Sequence, residues 1–412
     1  MRNSVAPWRN FLLPLAVSLL VTAPLASQEP AAEDRSLHDR LLVLDTHLDA
    51  PVHFGRPGWS VMDRHSFDTD LSHVDFPRML QGSLDGGFFV IFTKQGPLTV
   101  AGYAAARDHA LTRAIQIREM VASHASAFEL AFAANDAERI VNSGKRAVYQ
   151  SIENSYPLGT DLSLLKTFYD LGVRLVGPVH YSNNQFADSS TDAGGRRWNG
   201  LSPLGKSLIT RANLLGMVLD GSHASDDTLD QMIELSKTPI MLSHTGLKAI
   251  FNHPRNIDDA RLKKLAASGG VIQVLAVSDF MVPTPTIPER DAAIEEILET
   301  SLARFTSAEA TRGAARLREL DAKYSIPQAT FEDFMRGLLH ALEVAGVDHV
   351  GLGVDWDGGG GVRGFEDITA LPQVTARLLQ AGYSSDDIAK IMGGNALRLV
   401  RQAEAYARAA RQ

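Results

Sequence analysis

The sequence predicts an α/β fold: a (β/α)8, TIM-like barrel with a helical insertion between its seventh and eighth strands. Three observations predict it. Short apolar runs rich in β-branched residues alternate with helix-length amphipathic segments, the rhythm of βα units. The runs number eight, and near-continuous apolar strands followed by helices suit a parallel sheet covered by helices. Ionisable residues also collect where these runs end, which in such barrels is the catalytic face. A doubly wound open sheet is the structural runner-up.

The eight expected strands are Leu41–Thr46, Gly87–Phe92, Ala147–Ile152, Arg174–Val179, Met217–Leu219, Pro239–Ser243, Val271–Leu275 and His349–Val354. Helical patterns between them include Tyr103–Ser123, Ser225–Ser236, Asp258–Ala267 and Thr330–Ala345. Residues 181–202, rich in Ser, Asn, Asp and Gly, read as a long surface loop after the fourth strand. Residues 278–329 hold Pro283, Pro285 and Pro288 and then a charged helical stretch, an insertion suited to a lid or a contact surface.

Ahead of the barrel, the first residues read as an export signal. Arg2 and Arg9 give a positive start, Phe11–Ala23 an apolar stretch broken by Pro14, and Ala26-Ser27-Gln28 a small-residue cleavage site. The stretch is shorter than the roughly 20 residues that a bilayer span needs. The expected organisation is therefore an export signal peptide at 1–27 and a single barrel domain at 28–412, periplasmic or secreted, with no transmembrane span in the mature chain.

Composition narrows the chemistry. Across 412 residues, 40 Lys and Arg stand against 48 Asp and Glu, a net charge of −8 without a basic tract, so nucleic acid is not an expected partner. The chain has 0 cysteines, which excludes disulfides, thiolate metal sites and cysteine nucleophiles. Any metal must sit on His, Asp and Glu, and a homo-oligomer would form without disulfides. No Gly-x-Ser-x-Gly elbow is present, against an α/β-hydrolase serine nucleophile. The Gly358–Gly361 run lacks phosphate-loop spacing and suits a turn where backbone comes close to a ligand.

The strand ends carry the chemistry. The first run leads into Asp45-Thr46-His47-Leu48-Asp49, the third into Glu153, the fourth into His180, the fifth into Asp220-Gly221-Ser222-His223, the sixth into His244 and the last into Asp355. A His-x-Asp pair leaving a strand faces one side, because strand side chains alternate. Imidazole nitrogen and carboxylate oxygen suit a borderline divalent ion such as zinc. One such triplet arises often by chance; six positions on one rim do not. His53, His65, His73, His109, His124, His253, His340 and His349 follow no strand-end pattern and read as structural or solvated.

With these residues in place, the chain resembles the membrane (renal) dipeptidase family of binuclear zinc peptidases, within the amidohydrolase-type barrels. The likeness runs from Asp45–Pro51 to Gly393-Gly394-Asn395. Its more specific stretches are Gly200–Lys206, Leu215–Met217 through Asp220–His223, Ser243-His244, His253–Asp259 and Gly351–Gly358. The resemblance implies that His47 and Asp49 bind one zinc, His223 and His244 the other, and Glu153 bridges both. It implies that His180 contacts the substrate carbonyl and that Arg255 holds the terminal carboxylate of a dipeptide. Asp355 matches the acid/base carboxylate, with Asp357 close enough to compete for that role. The implied function is an exported zinc-dependent dipeptidase that uses a metal-bridging hydroxide. Another metal-dependent hydrolase of the same barrel, acting on a lactone, cyclic amide or N-acyl amino acid, and a non-catalytic exported binding protein stay open as alternatives. Two departures bear on pocket shape: Leu48-Asp49-Ala50-Pro51 where the family usually has Asn-Asp-Leu-Pro, and Asn154-Ser155-Tyr156 after Glu153 where glycine is frequent.

Overall fold

The computed structural model describes residues 31–304 and 306–412; the export signal expected at 1–27 lies outside them. Nine strands are present among the described residues: β1 Leu44–Leu48, β2 Gly86–Ile91, β3 Phe128–Leu130, β4 Arg146–Ile152, β5 Val173–Val176, β6 Val218–Leu219, β7 Met241–Thr245, β8 Val271–Val274 and β9 Val350–Leu352. Every pairing between them is parallel. Each of the eight sequence-derived runs overlaps one strand. The unanticipated β3 pairs with the first half of β4, on the stretch that β5 leaves free before it joins at Gln150. Three residues, Phe128-Glu129-Leu130, give too short a pattern to be read.

The ladders form two arcs, β1-β2-β4-β5-β6 and β7-β8-β9. Single parallel bridges join them, Asp220 to Met241 at one joint and Leu48 to Trp356 at the other. The Gly221 N–H donates to Met241 O (2.8 Å) and the Asp49 N–H to Trp356 O (2.9 Å). The eight strands other than β3 thus close into a ring, with tightly built but short joints.

Alternation along the strands sorts side chains into two layers. Phe88, Tyr149, Leu175, Val218, Met241 and Val271 pack with Leu397, Leu399 and Val400 of the C-terminal helix Asn395–Ala409. Their neighbours Phe89, Val148, Val176, Leu219, Leu242 and Ile272 pack under the surrounding helices. Burying each such side chain is worth about 1.5–3 kcal/mol, so this double lining is what holds the ring.

Helix starts follow from local chemistry. Ser202, Ser225 and Asp258 accept the N–H of the third helical residue, and Thr330 forms a reciprocal capping box with Asp333. In the insertion, helices Pro288–Arg304 and Ser307–Lys323 are tied by Arg290–Asp321 (3.1 Å) and Arg316–Glu296 (2.7 Å). Arg318 donates to Asp68 O, docking this hairpin on the segment that follows β1.

Residues 181–202 are less superficial than their composition suggests. Asn184, Phe186, Ala187 and Asp188 are buried. The Asp188 carboxylate accepts the N–H groups of Arg197, Trp198 and Gly200, and Asn184 donates to Asn154 Oδ1 and Pro178 O. Polar side chains here serve as internal acceptors and donors for loop backbone, a use that composition cannot distinguish from solvation.

Candidate active site

His47 lies on β1, Glu153 follows β4, His180 follows β5, His223 follows β6, His244 lies on β7 and Asp355 follows β9. The closed ring brings these ends together on one rim. A single oxygen organises them. Glu153 Oε1 lies 3.1 Å from His223 Nε2, 3.4 Å from His244 Nε2, and 3.6 Å from both His47 Nε2 and His180 Nε2. His47 Nε2 also faces Asp49 Oδ2 at 3.4 Å and Asp355 Oδ1 at 3.8 Å. All these groups are buried except His180, whose side chain is 17% exposed and so faces the open side.

The donor set is that of a cation site. Three groups of ligand atoms cluster closely enough to hold an ion: His47–Glu153–His244, Glu153–His180–His223 and His47–Asp49–Asp355. Buried His47 Nε2, Asp49 Oδ1 and His223 Nδ1 have no hydrogen-bond partner. Orphaned buried polar atoms are rare and need an explanation. Two imidazole nitrogens, His223 Nε2 and His244 Nε2, also approach to 2.8 Å.

The electrostatics agree. Burial, with the positive charges of Arg255 and other imidazoles, holds His223 and His244 well below the usual histidine range and His180 at about 3. They are neutral, the form in which imidazole binds a metal. For His47 burial pulls downward, but Asp49, Glu153 and Asp355 outweigh it and raise the imidazole to about 10. Burial likewise raises Glu153 and Asp355, packed beside Asp49. Asp49, Glu153 and Asp355 crowd one place against the positive charge of His47 and Arg255 alone, and divalent cations would supply the balance.

His223 and Asp355 have left-handed backbones, φ 62° and φ 75°, as does Asp357 at φ 67°. Such conformations cost a non-glycine residue about 1–3 kcal/mol and gather at functional sites. Gly358 sits beneath the carboxylates: a Cβ there would lie 2.1 Å from Asp49 Oδ2 and 2.2 Å from Asp355 Oδ1. The glycine run therefore gives room to the site's own acids.

Asp355 and Asp357 part company. Asp355 joins the cluster; Asp357 turns to a neighbouring group, its Oδ1 accepting the His73 N–H (2.5 Å) and lying 3.6 Å from His53 Nε2. Arg255 is buried beside His244, donating to His244 O (2.6 Å) and Thr245 Oγ1 (3.1 Å), with its Nε unpartnered.

Four residues with no role read from the sequence border the site. Tyr181 is half exposed, its ring 4.0 Å from the His180 ring and 5.1 Å from that of His223, so it lines the mouth. Its only signal was adjacency to His180. Asp45, Asp220 and Ser243 bond to the site's backbone and imidazoles, and only their place at strand ends marked them.

Known proteins share this arrangement of elements. The model of the membrane dipeptidase family, peptidase family M19, matches residues 31–412. Dipeptidase tcpJ of Claviceps purpurea is 29% identical over 352 residues, 84% of this chain and 73% of that protein. The probable dipeptidase PvdM of Pseudomonas aeruginosa has a similar structure, with TM-score 0.78 and 28% identity over 91% of this chain and 98% of that one. A metallo-peptidase of Rhodobacter sphaeroides, solved with a phosphinate mimic of the dipeptide L-Ala-D-Ala, shares the fold at TM-score 0.68 and 23% identity, covering 88% of this chain and 99% of that one. A family match across the whole barrel and a rim whose His, Asp and Glu groups could hold a metal lead to one conclusion: the chain belongs to the membrane dipeptidase family, peptidase family M19, and is a metallo-dipeptidase.

Proposed function

We propose that this chain is an exported, zinc-dependent dipeptidase that binds two zinc ions on one rim of its barrel. The observation that carries the reading is the single Glu153 oxygen within 3.6 Å of four imidazole nitrogens. His47 and Asp49 would hold one ion, His223 and His244 the other, with Glu153 between them. Zinc, when bound, acidifies a water nucleophile and polarises the scissile carbonyl.

The chain's own groups do the rest. His180, neutral and on the open side, donates toward the carbonyl oxygen as negative charge develops there. Asp355, kept protonatable near neutral pH by burial and by Asp49, takes the nucleophile's proton and delivers it to the leaving amine. Arg255 anchors the substrate's terminal carboxylate through its fork of donors. A fixed cation beyond the reacting centre favours substrates that end one residue past the scissile bond, hence dipeptides over longer peptides.

The test is a panel of L,L-, L,D- and D-containing dipeptides with one matched tripeptide, assayed on zinc-reconstituted protein. Dipeptide cleavage that is chelator-sensitive, and a tripeptide left intact, are expected. Arg255→Ala should raise KM for dipeptides far more than it lowers kcat; unchanged dipeptide kinetics would overturn the carboxylate assignment. Export rests on the 1–27 segment, and N-terminal sequencing of protein from outside the cytoplasm should begin near Gln28. Among the described residues no helix is long and apolar enough to cross a membrane.

A further inference from the structure

Each of the two joints that close the barrel is spanned by a buried carboxylate. At the joint between β9 and β1, Asp45 Oδ1 accepts the His47 N–H (2.8 Å) and Oδ2 the Val354 N–H (3.0 Å). At the joint between β6 and β7, Asp220 Oδ1 accepts the Ser222 N–H and the Ser243 N–H, both at 2.9 Å. The pattern is the same twice: one acceptor reaches two residues along its own strand end, and across to the neighbouring strand. The N–H groups so held belong to His47 or sit next to Asp355, His223 and His244. Elsewhere around the ring, ladders of backbone hydrogen bonds set the spacing between strands. Here the ladder shrinks to a single bridge, and a side chain supplies acceptors.

We propose that Asp45 and Asp220 are positioning residues of the metal centre, setting the separation of its ligands across the two joints by binding backbone N–H groups on both sides. This rests on the zinc-pair reading given above. Asp220 extends its reach through Ser243. The Ser243 hydroxyl donates to Asp220 Oδ2 (2.5 Å), so its proton is committed. Besides a 3.4 Å contact with Ser222 Oγ, it meets His244 Nδ1 at 2.9 Å and His47 Nδ1 at 3.4 Å, and in these two the imidazole must be the donor. That fixes a proton on Nδ1 of each ring and leaves Nε2, which faces Glu153, as the nitrogen that a metal would take.

Asp85 is the built-in control. Its Oδ2 accepts the Val43 N–H (3.0 Å) just ahead of β1, and Oδ1 meets Arg146 (3.4 Å). It is a buried carboxylate tying backbone at the opposite end of the strands, with no ligand next to the bonded N–H.

The experiment measures zinc affinity by titrating chelator-stripped full-length protein against a chromogenic chelator, alongside thermal unfolding of the same samples. Asp45→Asn and Asp220→Asn retain the shape: the first places an amide N–H against a backbone N–H, and the second, with its oxygen on the Ser222 and Ser243 N–H groups, turns an amide N–H toward the Ser243 hydroxyl and removes the acceptor that commits its proton. They should weaken zinc binding roughly 10–100-fold. Ser243→Ala, the mildest change and the one that keeps the inference testable if an aspartate variant fails to fold, should weaken it by about 10-fold with little change in Tm. Asp85→Asn should lower Tm and leave zinc affinity at the wild-type value. If the three upper-rim variants behave like Asp85→Asn, losing Tm but not affinity, these residues are structural only and the inference is overturned. A wild-type protein that takes up no zinc overturns the zinc-pair reading itself; wild-type uptake with unaltered variants overturns only the positioning role.

Discussion

Two histidine–carboxylate clusters lie side by side in this barrel, and only one has the makings of a metal site. In the first, His47, His180, His223 and His244 converge on Glu153, and buried nitrogens and oxygens are left without partners. In the second, the residues that follow β1 and β9 pair off. Arg56 donates to His53 Nδ1 (2.7 Å), His73 Nδ1 accepts the Asp357 N–H (3.1 Å), and His65 bonds to Asp70 and to Ser60 O (2.8 Å). Rings there also stack: Trp59 on His65, and Phe67 on His73. Both clusters are rich in buried imidazoles beside carboxylates. Unpartnered buried atoms occur in both, His53 Nε2 and Asp357 Oδ2 among them; the difference lies in convergence, four imidazoles facing one oxygen in the first cluster, whereas in the second Asp70 meets His65 alone and Asp357 meets His53 and His73. An imidazole beside its own carboxylate is an element of packing; several imidazole nitrogens aimed at one carboxylate oxygen need a cation.

The harshest way to break this contrast is to remove its organising oxygen. Glu153→Gln should abolish retention of the zinc pair and lower kcat for a dipeptide by about 10³-fold or more, since Lewis-acid activation is worth several kcal/mol. Metal content by mass spectrometry and steady-state kinetics check it. A Glu153→Gln variant with two zinc ions and ordinary turnover would mean that the first cluster is not organised as described.

Next in size is the split between two aspartates only two positions apart. Asp355→Asn should lower kcat by about 10²–10⁴-fold and leave zinc in place, as expected for loss of a proton carrier. Asp357→Asn should instead cost stability, about 1–3 kcal/mol for buried donors left unmatched, with a much smaller effect on kcat. Chemical denaturation and kinetics on both variants decide it. If Asp357→Asn is the more damaging to turnover at unchanged stability, the two roles are reversed.

That split also shows where the sequence stops being legible. His47 and Asp49 could be read because a strand end presents alternate residues together, and Glu153, His180, His223 and His244 because parallel strands bring like ends to one rim. The same alternation says that Asp355 and Asp357 should face one way. They do not, because both adopt left-handed backbones around the buried Trp356, and no local pattern announces that. Asp45 and Asp220 stood in plain view at strand ends, yet their partners are backbone N–H groups of Val354 and Ser243, supplied only when the ring closes. The strand order was therefore readable, whereas the acceptors that tune the joints were not. His53 and His73 follow no strand-end pattern, and their gathering around Asp357 depends on a contact between residues 284 positions apart.

The smallest expected effect tests the charge that His53 carries in the second cluster. Burial is the main influence on His53 and lowers its pKa, with Asp357 opposing. The bond from Arg56 points the same way: an arginine cannot accept, so His53 Nδ1 must carry the lone pair, and the ring stays neutral with its proton on Nε2. The unfolded histidine, in contrast, gains a proton below about pH 6.5. Unfolded chains then bind more protons than folded ones, so this residue makes stability fall as pH drops through that window, by at most about 1.4 kcal/mol per pH unit. His53→Gln, which can still accept from Arg56, should remove that share. Urea unfolding of wild type and variant at about pH 7.5 and about pH 5.5 should show the wild type losing about 1 kcal/mol more on acidification than His53→Gln. Equal losses would mean that His53 titrates alike in both states. A smaller loss in the wild type would mean that His53 is charged in the fold and ion-paired with Asp357, making the second cluster an electrostatic unit instead of a hydrogen-bonded one.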